Sequence, residues 1–253
     1  MARFVLVHGA FGGAWCWDPV VGPLQELGHT VETLDLPGGG EDGTPAAEVT
    51  LERCVARVRE VLERGEPAVL VAHSMGGVVA TQAASDCSDR VAKLVFVCAF
   101  MPADGQSLLD LTHLPEGQGD MIQANIRVEG EPPVATLPDD AAADAIYNCC
   151  TPEQTRASLP RRRPQAVAPF ATPVRVDEAV LGAIPRFYVL TKQDNSIPPA
   201  LQRRMIREHP CVDVVELDTD HAPYLSATEE LVAALDGFAR TSADGRICMQ
   251  NAR

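Results

Sequence analysis

The sequence predicts an α/β protein: a mostly parallel, doubly wound sheet of about six strands with an inserted helical cap. Short apolar runs typical of buried strands alternate with segments of helical periodicity, and the connections between them are short. This alternation stops near residue 100 and resumes near residue 182. A length of 253 residues accommodates one such domain with an insertion. We therefore assign residues 1–100 and 182–253 to the core and residues 101–181 to the cap.

Each core element has its own local signal. The run 3-RFVLVH-8 is almost entirely apolar, as a strand buried on both faces requires. The segment 51–65 has apolar residues at helical spacing, and Thr50 is placed to cap it. The other predicted elements are, in chain order, the helix 17–28, the strands 30–36 and 67–72, a helix beginning after Ser74, the strands 91–99 and 186–191, the helix 199–209, the strand 212–217 and the helix 228–240.

The segment 101–181 is rich in Pro, Asp, Ala and Gln and has weaker periodicity than the core. It is too long to be a structureless loop within a compact domain. We therefore expect an ordered cap, with short helices within 139–150 and 152–159. The polar tail, residues 241–253, is expected to be peripheral.

Composition argues against several classes of function. A net charge of −14 repels phosphate backbones, so we expect no nucleic-acid partner. No apolar run reaches the roughly 18 residues of a membrane span, and no secretory signal peptide is evident before the first strand. We therefore expect a cytoplasmic protein that does not bind membranes. Its eight cysteines are then expected to be reduced thiols, several of them in the core.

The stretch 72-AHSMG-76 has the form of a nucleophile elbow, in which a strand, a tight turn of small residues and a helix expose one serine hydroxyl. Ala72 replaces the first glycine of the usual G-x-S-x-G pattern, and Gly77 adds a further glycine. The alternative is that Ser74 only caps the following helix. Because an apolar strand precedes the turn and a helical segment follows it, we interpret Ser74 as a nucleophile.

A serine nucleophile needs a histidine base and a carboxylate that orients the base. In this class of elbow proteins the chain order is serine, acid, histidine. Asp194 follows the predicted strand 186–191, and His221 follows the strand at 212–217. Asp218 and Asp220 are rivals for the acid, but residues so close to a histidine in sequence point poorly at its ring. We therefore predict Asp194 as the acid and His221 as the base.

The oxyanion formed in acyl transfer needs backbone N–H donors. Met75 directly follows the predicted nucleophile, and its N–H is the first candidate donor. The glycine-rich turn 8-HGAFGG-13 allows close approach of the backbone, and we choose the N–H of Ala10 as the second donor. The alternative interpretation of this turn is a plain loop.

The remaining histidines do not require a catalytic role. His8 and His73 follow apolar strands and are expected to be hydrogen-bonded structural residues beneath the site. His29, His113 and His209 lie in predicted loops or at helix ends and are expected to be solvated. No cluster of His, Asp or Glu has metal-ligand spacing, so we predict no metal site.

Six runs of the sequence together resemble the plant methylesterase and hydroxynitrile lyase group of α/β-hydrolases. They are LVHGAFGGAWCW, LDLPGGGED, AHSMGG, VFVCAFMP, TKQDNSIP and TDHAPYLS. The resemblance covers most of residues 3–102 and 180–240 and is weak across the cap. It implies the α/β-hydrolase fold, a catalytic triad of Ser74, Asp194 and His221, an oxyanion hole at Ala10 and Met75, and no cofactor.

Two positions favour the esterase branch of that group. Its lyases resemble one another in a threonine after the first-strand histidine and a lysine after the catalytic histidine, whereas this chain has Gly9 and Ala222. Cyanohydrin cleavage needs a cation to receive the developing cyanide, and neither Lys93 nor Lys192 is near those positions in sequence. The resemblance therefore implies cleavage of small carboxylic esters, among them methyl esters.

The resemblance also implies an apolar substrate pocket under the cap. Candidates for contact with the substrate are Phe11, Trp15, Trp17, Phe100 and Met101, although Trp15 and Trp17 fit the core equally well. The basic run at 161–163 could attract an anionic substrate, but a solvated face of the cap explains it more simply.

We therefore expect a serine esterase that cleaves a small-molecule ester through an acyl-enzyme. Two alternatives remain open. One is a biosynthetic lyase, cyclase or decarboxylating esterase that uses the same scaffold on a specialised metabolite. The other is a small-molecule-binding protein with vestigial catalysis. A homodimer through the cap or an edge strand is also left open by the sequence.

Overall fold

The computed structural model describes residues 1–241, so the predicted peripheral tail lies almost entirely outside them. Nine strands lie within this range: β1 (Arg3–Val7), β2 (Thr30–Leu34), β3 (Ala68–His73), β4 (Val91–Val97), β5 (Arg127–Glu129), β6 (Val134–Thr136), β7 (Gln165–Ala166), β8 (Arg186–Thr191) and β9 (Asp213–Leu217).

Six of these strands form a parallel sheet in the order β2-β1-β3-β4-β8-β9. The predicted parallel sheet of about six strands is thus confirmed. Strand β3 is buried along its whole length, and β1 is buried from its second residue onward. The edge strands β2 and β9 are partly exposed, which explains why their sequences, TVETL and DVVEL, interrupt the apolar pattern with charge.

Twelve α-helices lie within the same range: α1 (Asp18–Glu26), α2 (Leu51–Leu62), α3 (Gly76–Asp86), α4 (Leu108–Thr112), α5 (Met121–Asn125), α6 (Asp139–Ile146), α7 (Pro152–Ser158), α8 (Ala168–Ala171), α9 (Glu178–Ala183), α10 (Pro199–Glu208), α11 (Pro223–Ser226) and α12 (Thr228–Arg240). The predicted cap of α2 is present, because the Thr50 hydroxyl accepts the N–H of Arg53 at 3.2 Å. None of the twelve is long and apolar enough to cross a bilayer.

The chain between β4 and β8 is ordered, as expected, but it is not purely helical. It contains α4 to α9, with α6 and α7 close to the predicted bounds, and also the antiparallel sheet β5-β6-β7. Our prediction of a helical cap missed this sheet. Its strands are only two or three residues long, too short for an alternating pattern to show in the sequence.

The histidines predicted to be solvated differ from one another. His113 is exposed, but His29 is buried. The Nδ1 atom of His29 accepts the N–H of Ala2 at 3.2 Å, and its Nε2 lies 2.9 Å from Asp236 on α12. His209 is half-buried, and desolvation lowers its pKa. The expectation for His29 was wrong because its partner Asp236 is brought to it only by the folded core.

The first turn of helix α3 packs closely against the backbone of two other segments, and its two glycines leave room for both contacts. A Cβ atom on Gly76 would lie 2.7 Å from the carbonyl oxygen of His8, and one on Gly77 would meet the carbonyl oxygen and the nitrogen of Phe100. Rigid backbone cannot yield as a flexible side chain can. The extra glycine noted in the sequence, Gly77, is therefore required by the path of the chain after β4.

Gly77→Ala is expected to lower the free energy of unfolding by about 1–3 kcal/mol, because the added methyl group clashes with the Phe100 backbone. Gly237→Ala in α12 is the matched control. A Cβ atom there meets nothing within 4 Å, so the substitution should raise the free energy of unfolding by about 0.5–1 kcal/mol through helix propensity alone. Urea unfolding measures both; a Gly77→Ala protein as stable as the Gly237→Ala protein would contradict the close approach.

Candidate active site

Ser74 lies in the sharp turn between β3 and α3. Its φ of 53° is in the left-handed region, which residues with a side chain adopt only where their surroundings enforce it. The Ser74 carbonyl accepts the N–H groups of Gly77 at 3.0 Å and Phe100 at 3.2 Å, and the Ser74 N–H donates to Val97 at 3.4 Å. The turn is thus held by the chain that follows β4. The strand, turn and helix predicted around Ser74 are all present.

The side chains of Ser74, His221 and Asp194 form one hydrogen-bonded chain. The Nε2 atom of His221 lies 2.9 Å from the Ser74 hydroxyl, and its Nδ1 atom lies 2.8 Å from Oδ2 of Asp194. All three residues are buried. They follow β3, β9 and β8, whose carboxyl ends share one edge of the parallel sheet. The structure therefore brings together the three residues that were predicted from separate strand ends.

The Asp194 carboxylate is surrounded by donors in addition to the imidazole. Its Oδ1 atom accepts the backbone N–H groups of Ser196 and Ile197, each at 2.8 Å. Its Oδ2 atom accepts the Thr191 hydroxyl at 2.9 Å and the Gln202 amide at 3.1 Å. These bonds fix the orientation of a buried carboxylate that would otherwise be very costly to desolvate. Sequence reasoning missed Thr191 and Gln202, since nothing in a strand end or a helix start marks such a partner.

The two rival carboxylates have other partners. Asp220 accepts the backbone N–H groups of Cys149 at 2.7 Å and Ala222 at 3.0 Å. Asp218 is exposed and lies 3.4 Å from the Lys192 ammonium group. Neither is hydrogen-bonded to the imidazole in the part of the chain that the structure describes. The geometry therefore favours Asp194 as the partner of the base.

His73 packs against the ring of His221 and contacts its backbone. Its Nε2 atom lies 2.7 Å from the carbonyl oxygen of His221, so this nitrogen carries the proton and donates. Burial holds the pKa of His73 well below its usual value, and the neighbouring His221 lowers that pKa further. A neutral His73 therefore positions the backbone of His221, as a structural histidine beneath the site would.

One group of potential metal ligands lies here, formed by His73, Cys98 and His221, whose ligand atoms are within 4.8 Å of one another. These groups are poorly disposed to bind a metal. Both ring nitrogens of His221 already have side-chain partners, and burial raises the pKa of the Cys98 thiol well above its usual value. The absence of a metal site stays a prediction.

The predicted oxyanion residues Ala10 and Met75 line the same cavity as Ser74. The turn that carries Ala10 is fixed at both ends. The Nε2 atom of His8 accepts the N–H of Leu36 at 2.9 Å, and the carbonyl of Phe11 accepts the N–H of Arg163 at 2.9 Å. The insertion thus contacts the turn directly, and His8 is the structural residue that its position suggested.

The cavity at Ser74 is narrow and partly open to solvent, so it suits only a small molecule. Aromatic and aliphatic side chains form most of its wall, including the predicted residues Phe11 and Phe100. Cap residues complete it, among them Leu108 and Phe170. The arrangement can hold an apolar ligand against the Ser74 hydroxyl.

Two other predicted pocket residues do not line this cavity. The Trp15 ring packs against the Arg161 guanidinium, 4.7 Å from the ring centroid. Met101 is buried, and its backbone N–H lies 3.3 Å from the Met205 sulfur on α10. Both candidates came from the family resemblance, which does not fix the direction of each side chain. Trp17 is fully buried in the core.

The basic run at 161–163 is not uniformly solvated, contrary to the simpler interpretation. The Arg162 side chain is only 8% exposed. It donates to the carbonyl of Leu137 at 3.0 Å and pairs with Asp139. Arg162 therefore links segments of the cap to one another.

One residue of the cavity had no recognisable signal in the sequence. Asp120 precedes α5, and its Oδ1 atom accepts the N–H groups of Ile122 at 2.8 Å and Gln123 at 3.0 Å. It also lines the cavity at Ser74 and is 8% exposed. Burial raises the pKa of Asp120 to about 6. From the sequence alone such a residue is indistinguishable from an ordinary helix cap.

A family model for the alpha/beta hydrolase family matches residues 4–234 of the chain. The chain belongs to this family. Methylesterase 7 of Arabidopsis thaliana is 32% identical to it over 255 residues, which cover 92% of this chain and 94% of the relative. The methylesterase-like resemblance is thereby confirmed. The chain spans 54% to 64% of the length of three other Arabidopsis thaliana relatives.

Solved structures agree on the fold of this alpha/beta hydrolase. A pyrethroid hydrolase from Sphingobium faniae JZ-2 superposes with a TM-score of 0.87 at 28% identity, covering 96% of this chain and 99% of that one. Polyneuridine aldehyde esterase superposes with a TM-score of 0.85 at 24% identity, covering 94% of this chain and 99% of that one. At that identity the second likeness shows the fold alone.

Asp120→Asn is expected to raise the free energy of unfolding at neutral pH. The folded-state pKa of about 6 lies above the usual aspartate pKa of 3.8, so ionisation opposes folding. The stabilisation should be absent below about pH 4 and complete above about pH 6, where it reaches up to about 3 kcal/mol. Asparagine also caps a helix, so the N-terminus of α5 is preserved.

Urea unfolding at pH 4.5 and pH 7.5 measures this effect. Asp177→Asn is the matched control, because Asp177 caps α9 through the same pair of N–H bonds but is exposed. A gain for Asp120→Asn that is equal at the two pH values would contradict the desolvation of this carboxyl group.

Proposed function

We propose that this chain is a serine hydrolase that cleaves a small carboxylic ester through an acyl-enzyme. The observation that carries the proposal is the chain of hydrogen bonds from Ser74 through His221 to Asp194, at the wall of an apolar cavity. A serine hydroxyl is a weak nucleophile at neutral pH, and an adjacent oriented base is what activates it.

In the first half-reaction the Ser74 hydroxyl attacks the ester carbonyl carbon while Nε2 of His221 accepts its proton. The carbonyl oxygen becomes an oxyanion, for which the backbone N–H groups of Ala10 and Met75 are the proposed donors. The carbon–oxygen bond to the alcohol then breaks. His221 returns the proton to the departing alcohol, and the acyl group remains on Ser74.

In the second half-reaction water attacks the acyl carbon, and His221 takes one proton from it. The bond to Ser74 then breaks, the serine recovers its proton from His221, and the carboxylic acid leaves. Asp194 keeps Nδ1 of the ring as the donor throughout, so that Nε2 is free to exchange protons with the reacting groups.

Methyl esters of small carboxylic acids are the first substrates that we propose. The narrow cavity limits the size of the acid, and its largely apolar wall disfavours molecules that carry several charges. The name of Methylesterase 7, which matches over 92% of this chain, supports the same substrate class.

A lyase that uses a lysine against developing cyanide is not favoured. Ala222 follows His221, and Lys192 pairs with Asp218 outside the cavity. The Lys93 ammonium group donates to the carbonyl oxygens of Phe238, Ala239 and Thr241. Neither lysine faces Ser74, so ester hydrolysis remains the better proposal.

An activated ester such as p-nitrophenyl butyrate tests the acyl-enzyme. We expect a burst of p-nitrophenol close to one equivalent per chain, followed by slower turnover. Ser74→Ala should abolish the burst and the turnover above background. A burst that persists in the Ser74→Ala protein would place the nucleophile elsewhere and reject the proposal.

Asp194→Asn should lower kcat by roughly 10⁴-fold, because the amide disfavours the productive imidazole tautomer while preserving the shape of the site. Asp218→Asn is the matched control: it removes a carboxylate from the exposed surface of the same region and should change kcat less than about twofold. Circular dichroism checks that both variants fold. A loss smaller than tenfold for Asp194→Asn is incompatible with the assigned role.

A further inference from the structure

The wall of the cavity at Ser74 holds one carboxyl group that hydrolysis does not use. Asp120 is 92% buried there, beside the aliphatic side chains of Ile122 and Ile126. A carboxylate removed from water without a partner is strongly disfavoured. Its presence in an otherwise largely apolar wall calls for a physical reason.

Only one of the two carboxylate oxygens of Asp120 has hydrogen-bond partners in the described part of the protein. The Oδ1 atom accepts the N–H groups of Ile122 and Gln123. Within residues 1–241, Oδ2 has no hydrogen-bond or ion-pair partner, and Asp120 has no arginine or lysine as a neighbouring charge. One acceptor atom of a buried group is therefore available to a ligand in the cavity.

Capping α5 does not require a charge at this position. The hydroxyl groups of Ser107 and Thr151 cap α4 and α7 in the same insertion without one. Helix α5 is only five residues long, so the interaction of a carboxylate with its dipole is small. A neutral cap would spare the protein the desolvation of Asp120.

The position of Asp120 is fixed relative to the proposed triad. The N–H of the next residue, Met121, donates to the carbonyl of Asn195 at 2.8 Å. Asn195 directly follows the acid Asp194, and the Ser196 hydroxyl in turn donates to Ala145 in α6 at 2.8 Å. The backbone next to Asp120 is thus anchored to the loop that follows the acid of the proposed triad.

We propose that Asp120 is a specificity-determining residue, whose free oxygen selects esters that carry a hydrogen-bond donor, either a hydroxyl or an ammonium group, away from the ester bond. This inference rests on the proposed esterase function and deepens it. The donor of the substrate completes the hydrogen bonding of Asp120. An ester that carries a free carboxylate is repelled, and a plain alkyl ester leaves the free oxygen of Asp120 without a partner.

The test compares unbranched methyl esters that end in a methyl, hydroxyl, ammonium or carboxylate group, at several chain lengths. At the best length, the wild-type kcat/KM for the ammonium ester should exceed that for the plain ester by about 10- to 100-fold. The carboxylate ester should be the poorest substrate. Absence of any donor preference at every length would overturn the proposal.

Two variants of Asp120 keep the cap of α5 and separate the two donors. Serine caps the helix with its one oxygen and leaves none for a ligand, so Asp120→Ser should abolish both preferences. Asparagine retains a second polar atom without charge, so Asp120→Asn should lose the ammonium preference and retain part of the hydroxyl preference. Asp177→Asn, an exposed cap, should behave as wild type. A preference that survives in Asp120→Ser would overturn the assignment.

The pH dependence supplies an independent measurement. The groups near Asp120 that titrate or carry charge are His221 and Asp194, and Ser74, Gln123 and Ser196 are its polar neighbours in the cavity. The ratio of kcat/KM for the ammonium ester to that for the plain ester cancels the pH dependence of the shared chemistry. This ratio should rise between about pH 5 and pH 7, as Asp120 ionises, and should be flat in Asp120→Asn. A wild-type ratio that does not change with pH would contradict the proposed role of Asp120.

Binding to the Ser74→Ala protein separates this inference from the proposed function. Isothermal titration calorimetry with the same esters requires no turnover. The Ser74→Ala protein should bind the ammonium ester more tightly than the plain ester, and the double variant Ser74→Ala, Asp120→Ser should lose this difference. That result supports the role of Asp120 in specificity even if the protein hydrolyses no ester. Hydrolysis without any binding preference would support the esterase and overturn the inference.

Discussion

The buried carboxylate of Asp194 is the group on which the proposed active site depends. Five donors surround it, from the end of β8, from the loop that follows, from α10 and from the imidazole. Removing such a group from water is tolerable only when most of these bonds form together. The orientation of the His221 ring is therefore set by the closure of the β8–α10 connection. The bonds that form in this connection therefore hold the proposed triad in place.

A second constraint comes from the close passage of the backbone at the nucleophile. The backbone of Phe100, just after β4, passes so close to Gly77 that only glycine fits there. The Phe100 N–H also donates to the Ser74 carbonyl. The same Phe100 then lines the cavity, and the insertion begins directly after it. The strained turn and the wall of the cavity are consequently built by one short segment. The segment that holds Ser74 is therefore complete before the insertion starts.

The sequence predicts the core well because most core strands and helices are long enough to show their period, and because a parallel sheet gathers strand ends at one edge. For that reason the sequence predicts that Ser74, Asp194 and His221 lie close together. The features that the sequence did not predict are contacts between residues far apart in the chain and elements too short to show a period. The pairing of His29 with Asp236 joins residues 207 positions apart, and the contact of Trp15 with Arg161 joins the core to the insertion. Two- and three-residue strands such as β7 carry no period at all. The four-residue helix α11 is too short to show one, and the sequence did not predict it. Away from the strand ends, a single sequence does not show which distant side chains meet.

The two buried aspartates of the site differ in a way that assigns them different tasks. Asp194 has both oxygens saturated by protein donors, so it has nothing left to offer a ligand and acts only on the imidazole. Asp120 has one oxygen held by α5 and the other without a protein partner. Burial opposes the charge on both, but only for Asp120 is compensation missing from the protein itself. A group kept at a cost to stability, in the wall of the cavity at Ser74, is explained when the missing donor arrives with the substrate.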